Sequence, residues 1–300
     1  MVTDAFTRLA RHYDDLMASV PYPMWVDYLE RLLDCHGRRG QRVLDLATGT
    51  GSVALILARH GYQVTGVDIS APMLEQAAAN SAREGLPIDW VHQDLTQLDL
   101  PAGAWDWACC LYDSLNYIIG EGGLARACQG TSRALRQGGL FIFDLNTPYC
   151  FERELFTQHH TVPTAKVRYR WRSHYDPTRR LARVDMVFWT EEGEFRETHY
   201  QRAYQDQEVE QALAGSGCHL LARYEAYTLL PSGPASDRIF YVAEKLADPV
   251  EQTAVCTTRK QTFVRGAKAR LRPAGMPPRP FLCPTALNQL GQRLPVHADR

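Results

Sequence analysis

Two glycines and two carboxylates, set in Val43-Leu44-Asp45-Leu46-Ala47-Thr48-Gly49-Thr50-Gly51-Ser52 and Val64-Thr65-Gly66-Val67-Asp68, carry the most specific chemistry in this chain. Gly49 and Gly51 lack a Cβ, so the turn can take dihedrals closed to other residues and a ligand can approach its backbone closely. A helix opening at Ser52 leaves unpaired N–H groups in its first turn, with partial positive charge suited to a carboxylate or phosphate. Asp68 lies 17 residues beyond Gly51, at the end of a second apolar run, where a carboxylate can accept hydrogen bonds from both hydroxyls of a ribose. To position these groups the chain needs two parallel strands, Gln41 to Leu46 and Val64 to Asp68, joined by a crossover helix over Ser52 to His60. The spacing predicts one βαβ unit holding a ribose-containing ligand.

Gly49-Thr50-Gly51-Ser52-Val53-Ala54 also satisfies the dinucleotide fingerprint, which leaves a nicotinamide or flavin cofactor open. Asp45 weighs against it, because a carboxylate at the mouth of the site repels a pyrophosphate and attracts an ammonium or a sulfonium. The pattern Asp45-x-Ala47-x-Gly49-x-Gly51 resembles the first motif of the class I S-adenosylmethionine (SAM)-dependent methyltransferases, with Ala47 where that family frequently has a glycine.

Further segments follow in the order the resemblance implies. Val64 to Ser70 with Pro72, Met73 and Leu74 resembles the second strand and the following helix start, which implies that Ile69 and Met73 flank the adenine. Asp94-Leu95, after a strand from Ile88 to His92, resembles the acidic motif that reads the adenine edge. Trp105 to Leu111 resembles the fourth strand, and Gln137 to Asp144 the glycine turn and fifth strand. The family reading thus implies an α/β fold: a Rossmann-like seven-stranded methyltransferase sheet, with SAM as cofactor. Cofactor contacts are expected at Asp45, Ala47, Gly49, Gly51, Asp68, Ile69, Met73, Asp94, Leu95, Leu111 and Trp25, and no metal site is expected.

The rest of the chain is read around that core. Residues 1 to 40 show apolar positions at helical spacing, predicting helices from about Thr3 to Met17 and Pro21 to Cys35. The Tyr13-Asp14-Asp15-Leu16-Met17 segment resembles the N-terminal lid of several small-molecule methyltransferases, which puts Tyr13 at the active site. Helices are also predicted over Pro72 to Glu84 and Glu121 to Arg136, with Gly138 as a C-terminal stop. Residues 150 to 204 alternate apolar with polar residues between Asp176-Pro177 and Glu192-Gly193 turns, which predicts an inserted three-stranded antiparallel cap. After it, a helix near Asp206 to Ala214 and strands at His219 to Leu229 and Arg238 to Lys245 complete the core, made of 41–149 and 205–246. A dinucleotide dehydrogenase would not need that final hairpin.

On the acceptor side, the loop Leu111-Tyr112-Asp113-Ser114-Leu115-Asn116-Tyr117 sits where the family binds its acceptors, and Asp113 and Asn116 are the candidate residues there, loop capping being the alternative role. His12, His174 and His199 could each serve as a base and are left unassigned. The Tyr-Asp lead-in, this loop and the inserted sheet resemble the small-molecule N-methyltransferases acting on glycine or amino sugars. The expected reaction is methyl transfer to a small-molecule amine. An O-methyltransferase, a dinucleotide-dependent oxidoreductase and a SAM-binding regulator stay open.

Composition sets the remaining bounds. The formal net charge of −1 gives no electrostatic argument for a nucleic-acid partner. No apolar run is long enough to cross a bilayer, and the start of the chain lacks a secretory pattern. The eight cysteines include no C-x-x-C pair, so reduced packing residues and a cytoplasmic location are expected; oligomeric state is not legible. Residues 247 to 300 carry seven prolines and nine Lys/Arg against three Asp/Glu without a sustained apolar period, which predicts a disordered basic tail. Truncation after Lys245 is therefore expected to leave the melting temperature nearly unchanged; a large drop in thermal unfolding would show that the tail is docked.

Overall fold

In the computed structural model, residues 6, 8–37 and 40–247 are described. The chain runs α1 (Ala10–Leu16), α2 (Tyr22–Cys35), β1 (Arg42–Leu46), α3 (Ser52–Arg59), β2 (Gln63–Asp68), α4 (Ala71–Glu84), β3 (Asp89–His92), β4 (Trp105–Cys110), α5 (Gly123–Ala134) and β5 (Leu135–Asn146). It continues through α6 (Pro148–Glu152), β6 (Gln158–His160), β7 (Arg168–Asp176), β8 (Leu181–Thr190), β9 (Gly193–Arg202), α7 (Asp206–Gly215), β10 (Cys218–Glu225) and β11 (Arg238–Lys245). Seven strands form one sheet in the order β10-β11-β5-β4-β1-β2-β3. Strands β1 to β5 pair in parallel, and β11 joins β5 and β10 antiparallel.

The apolar runs explain the layering. Val43, Leu44 and Leu46 of β1 and Trp107 to Cys110 of β4 are buried on both faces, as central parallel strands must be. One face packs under α2 and α3 through Trp25, Leu29, Leu32, Ile56 and Leu57; the other packs under α5 and α7 through Leu124, Ala127, Val209 and Leu213. Strand order reverses between β1 and β4, so a crevice opens at the carboxyl ends of these strands, the usual ligand position of a doubly wound sheet.

The second sheet, β6-β7-β8-β9, is antiparallel and lies between β5 and α7 in the chain. Its inner face (Ala182, Val184, Met186, Phe188 and Phe195) packs with Leu9, Phe151 and Phe156. It has four strands where the alternation predicts three: β6 spans only three residues, too few to show a period.

The N-terminal helix is shorter than its apolar spacing predicts. Phe6 adopts a positive φ of 68°, and α1 starts at Ala10. Helix α5 also ends early, at Ala134; Gly138 falls within the irregular first part of β5, where the pairing with β4 shifts register, and does not stop the helix. The expectation for the tail falls on 248–300, outside the described residues.

At the end of β1, Ala47 holds φ 54°, a left-handed conformation that a Cβ makes costly. A β-branched side chain is worse there. Ala47→Val is expected to destabilise the protein by about 2 kcal/mol, lowering the melting temperature by roughly 4–8 °C; calorimetric unfolding with no shift would contradict a strained turn.

Candidate active site

The crevice at the strand ends is a cavity of about 690 Å3, within the usual range for a ligand site. Its first wall is the glycine turn. Gly51 sits at φ 82°, and a Cβ there would come 2.7 Å from Trp90 Cη2, so the position combines a left-handed backbone with close packing. Gly51 lies behind the wall, whereas Ala47, Thr48, Gly49 and Thr50 line the cavity.

Asp68 ties that turn to the next. One oxygen accepts from the Gly49 N–H at 2.8 Å and the other from the Ser70 N–H at 2.8 Å. Burial raises its carboxyl above the ordinary value, and these backbone hydrogen bonds oppose the rise. Asp45 is more enclosed. It accepts from Thr48 Oγ1 at 2.6 Å and from Cys109 Sγ at 3.4 Å, and burial pushes its carboxyl up to about 6.

Around this floor stand the other predicted positions. Ile69 is exposed at the rim and Met73 is buried in α4, both lining the cavity. Asp94 caps the short 3-10 turn Leu95–Gln97 by accepting from the Thr96 N–H at 2.7 Å, and Leu95 lines the cavity beside it. Leu111 lines it from the end of β4. Trp25 is wedged among Tyr22, Tyr112 and Tyr227 with ring centroids 5.0, 5.2 and 5.8 Å away.

The residues present fit SAM. The Asp68 carboxylate accepts backbone N–H groups from Gly49, Ser70 and Ile69 and keeps acceptor capacity for a ribose hydroxyl. Ser70 Oγ and Trp25 Nε1, on residues of the cavity wall, are buried polar atoms with no partner among the described residues, as expected of groups awaiting a ligand.

The opposite wall is set by a buried ion cluster. Arg238 at the start of β11 donates to Asp113 Oδ1 at 2.7 Å and to Asp144 Oδ2. Asp144 in turn accepts the N–H groups of Tyr112 and Asp113 at 2.6 and 3.0 Å, which holds these two residues at φ 61° and 53°. Gln201 of β9 donates to the second oxygen of Asp113. Burial raises Asp113 above its ordinary value, and Arg238 works against that rise. Two carboxylates therefore face one guanidinium inside the protein.

Tyr13 also lines the cavity, and burial holds its hydroxyl well above its ordinary value, with Tyr22 and Tyr112 adding to the effect. Asn116 does not belong to this wall. Its side chain donates to the carbonyls of Asn146 and Arg202 at 3.1 and 2.9 Å and accepts from the Asn146 N–H at 3.0 Å. It is a fully buried clamp between β5 and β9, turned away from the cavity.

Several lining residues escaped the sequence reading: Phe156, Trp171, Val184, Met186 and Gln201 of the inserted region, and Arg238. Their strands were visible as alternating segments, but which face meets the cavity is decided by long-range packing.

Removing Arg238 leaves two buried carboxylates without their counter-charge. Arg238→Met is expected to destabilise the protein by about 3 to 5 kcal/mol at neutral pH. Asp113, already raised, rises further, so the penalty is present above its folded-state value and the deficit narrows as pH falls toward about 4. Chemical denaturation across pH checks this; a deficit that widens in acid contradicts the charge assignment.

The comparisons with known proteins agree with this geometry. Residues 43–139 match the family model described as a methyltransferase domain. The chain is 30% identical over 237 residues to the putative methyltransferase YqeM of Bacillus subtilis, covering 78% of this chain and 94% of that protein. A SAM-dependent methyltransferase from Clostridium acetobutylicum superposes with a TM-score of 0.71 at 27% identity, covering 81% of this chain and 99% of the other. The SAM-bound amino pentose methyltransferase CalS10 from Micromonospora echinaspora shares the fold, with a TM-score of 0.61 at 20% identity over 78% of this chain and 95% of the other. The strand order, the glycine turn with Asp68 and these likenesses together leave no place for the dinucleotide alternative, and the chain belongs to the class I SAM-dependent methyltransferases.

Proposed function

We propose that the protein transfers the methyl group of SAM to an amine carried on a compact, mostly apolar small molecule. The observation that carries the amine is the imbalance of the buried cluster, in which the two carboxylates of Asp113 and Asp144 share the one guanidinium of Arg238 among the described residues, beside an acceptor wall of aromatic rings. Such a wall attracts a cation through both net charge and ring faces. The apolar body is supported by Leu9, Leu16, Phe156, Trp171, Val184 and Met186, which offer little to a polyhydroxylated acceptor.

The cofactor contacts follow the cavity. Asp68 takes the ribose hydroxyls, Ile69 and Met73 flank the adenine, and Asp94 with Leu95 reads its edge. Asp45 faces the ammonium of the methionine end, with Ala47, Gly49, Leu111 and Trp25 completing the wall; Gly51 contributes by shaping the turn. When bound, SAM supplies a methyl carbon already activated by its positive sulfur, so transfer by in-line displacement needs mainly closeness, alignment and exclusion of water.

Residues 1–40 supply that exclusion as a lid, and 150–204 act as the cap over the core of 41–149 and 205–246. Support comes from α1 straddling the two. Asp14 accepts from Thr50 Oγ1 at 2.6 Å and from Asn80 Nδ2 at 3.0 Å on the core side. Arg11 pairs with Glu192 at 3.1 Å and Asp15 with Lys166 at 2.7 Å on the cap side. Tyr13 hangs between them and orients the acceptor with its hydroxyl.

Incubation with methyl-labelled SAM and a panel of apolar-bodied amines and phenols tests the reading. Label is expected on amines; label confined to hydroxyl compounds would overturn it. A second outcome follows from Asp45. Its carboxyl ionises near pH 6, so SAM affinity is expected to rise with pH through about 6 and then level, and Asp45→Asn to flatten that rise. Titration calorimetry showing the same profile in both proteins contradicts the ammonium contact.

A further inference from the structure

The cavity wall contains a chain of hydrogen bonds that the reaction described so far does not use. Tyr117, in the 3-10 turn Ser114–Tyr117, lines the cavity, and its hydroxyl lies 3.0 Å from His199 Nδ1. His199 Nε2 lies 2.8 Å from Glu197 Oε2, which also accepts the Phe6 N–H at 3.0 Å. Glu197, His199 and Gln201 alternate along β9 and so face the same way, toward Tyr117 and Asp113.

The proton positions follow from the partners. Glu197 Oε2 already acts as an acceptor, toward the Phe6 N–H, and the arrangement that keeps it one places the hydrogen on Nε2 of His199 and leaves an Nδ1 lone pair for the Tyr117 hydroxyl. The Tyr117 oxygen also takes a hydrogen bond from Gln201 and keeps one lone pair for the cavity. His199 is 1% exposed and packs against the Phe6 ring at 4.7 Å. Anchoring alone does not call for such a network, because Asn116 already ties the same turn to β5 and β9; a buried histidine–carboxylate pair is an expensive way to add a second tie.

We propose that Tyr117, backed by His199 and Glu197, removes the proton from the acceptor's attacking atom before methyl transfer. The inference rests on the amine reading above in one respect: a negative wall gathers the amine as an ammonium, which has no free electron pair. In the step, an N–H bond of the ammonium breaks and its proton passes to Tyr117 Oη. The phenol's own proton passes to His199 Nδ1, giving an imidazolium held against Glu197. The freed nitrogen pair bonds to the methyl carbon while the carbon–sulfur pair leaves with the sulfur. Burial raises the Tyr117 hydroxyl well above its ordinary value, with Asp113, Tyr112 and Glu197 adding to the rise, so the phenol stays protonated and passes a proton through. Tyr117 is the catalytic residue; His199 and Glu197 position and recharge it.

Two measurements test the relay. In histidine-labelled wild-type protein at about pH 8, with His199 assigned through His199→Gln, nitrogen NMR is expected to show hydrogen on Nε2 and an Nδ1 signal that moves in Tyr117→Phe. Hydrogen on Nδ1, or an Nδ1 signal indifferent to Tyr117→Phe, overturns the proposal. The second measurement follows methyl transfer from labelled SAM to phenethylamine. Tyr117→Phe and Glu197→Gln are expected to lower kcat about 100-fold at neutral pH, with KM and SAM affinity within about threefold. The deficit is expected to shrink toward about pH 10, where solvent supplies amine already free of its proton, a recovery that a structural defect would not give. Folded variants within threefold of wild-type kcat overturn the proposal. Wild-type protein that methylates no amine sinks the amine reading, while the NMR result still decides the relay.

Discussion

The carboxylate of Asp68 is the interaction on which the site depends. Its two oxygens receive the N–H groups of Gly49 and Ser70, so one buried charge fixes the turn after β1 to the turn after β2. Charge-assisted bonds of this kind are stronger than neutral ones, and here they offset part of the cost of burying the carboxylate, whose carboxyl burial still raises above the ordinary value. With the two turns held, the first turn of α3, Asp45 and the start of α4 take fixed places around one hollow.

A second buried charge set fixes the far wall. Arg238 reaches from β11 to Asp113 and Asp144, and Asp144 holds the left-handed backbone of Tyr112 and Asp113. The strain of that loop is kept because the ion cluster over-determines it. The floor of the crevice and its far wall are thus built by the same device, a carboxylate receiving backbone N–H groups from a strand-end turn. The N-terminal helix touches both the glycine turn, through Asp14 to Thr50, and the second sheet, through Arg11 to Glu192.

The floor of the site is legible in local sequence, and its walls are not. Asp45, Gly49, Gly51 and Asp68 belong to one local βαβ unit, so their relation is written in short spacings. Arg238 lies 125 residues from Asp113 and 94 from Asp144, and no local pattern announces such a pairing. Asn116 illustrates the opposite error. A short polar residue in an acceptor loop suggests ligand contact, yet its partners are backbone groups of β5 and β9 that sequence cannot name. The relay has only a faint signal in sequence, since Glu197, His199 and Gln201 fall on alternate positions of β9 and so share a face.

The most direct measurement is calorimetric titration of SAM into wild-type protein and Asp68→Ala, with thermal unfolding as a control for the fold. Loss of charge-assisted hydrogen bonds worth about 1.5–3 kcal/mol corresponds to affinity at least roughly tenfold weaker, and that is the result expected here. A folded Asp68→Ala that binds SAM as tightly as wild type would contradict the account of the cofactor site.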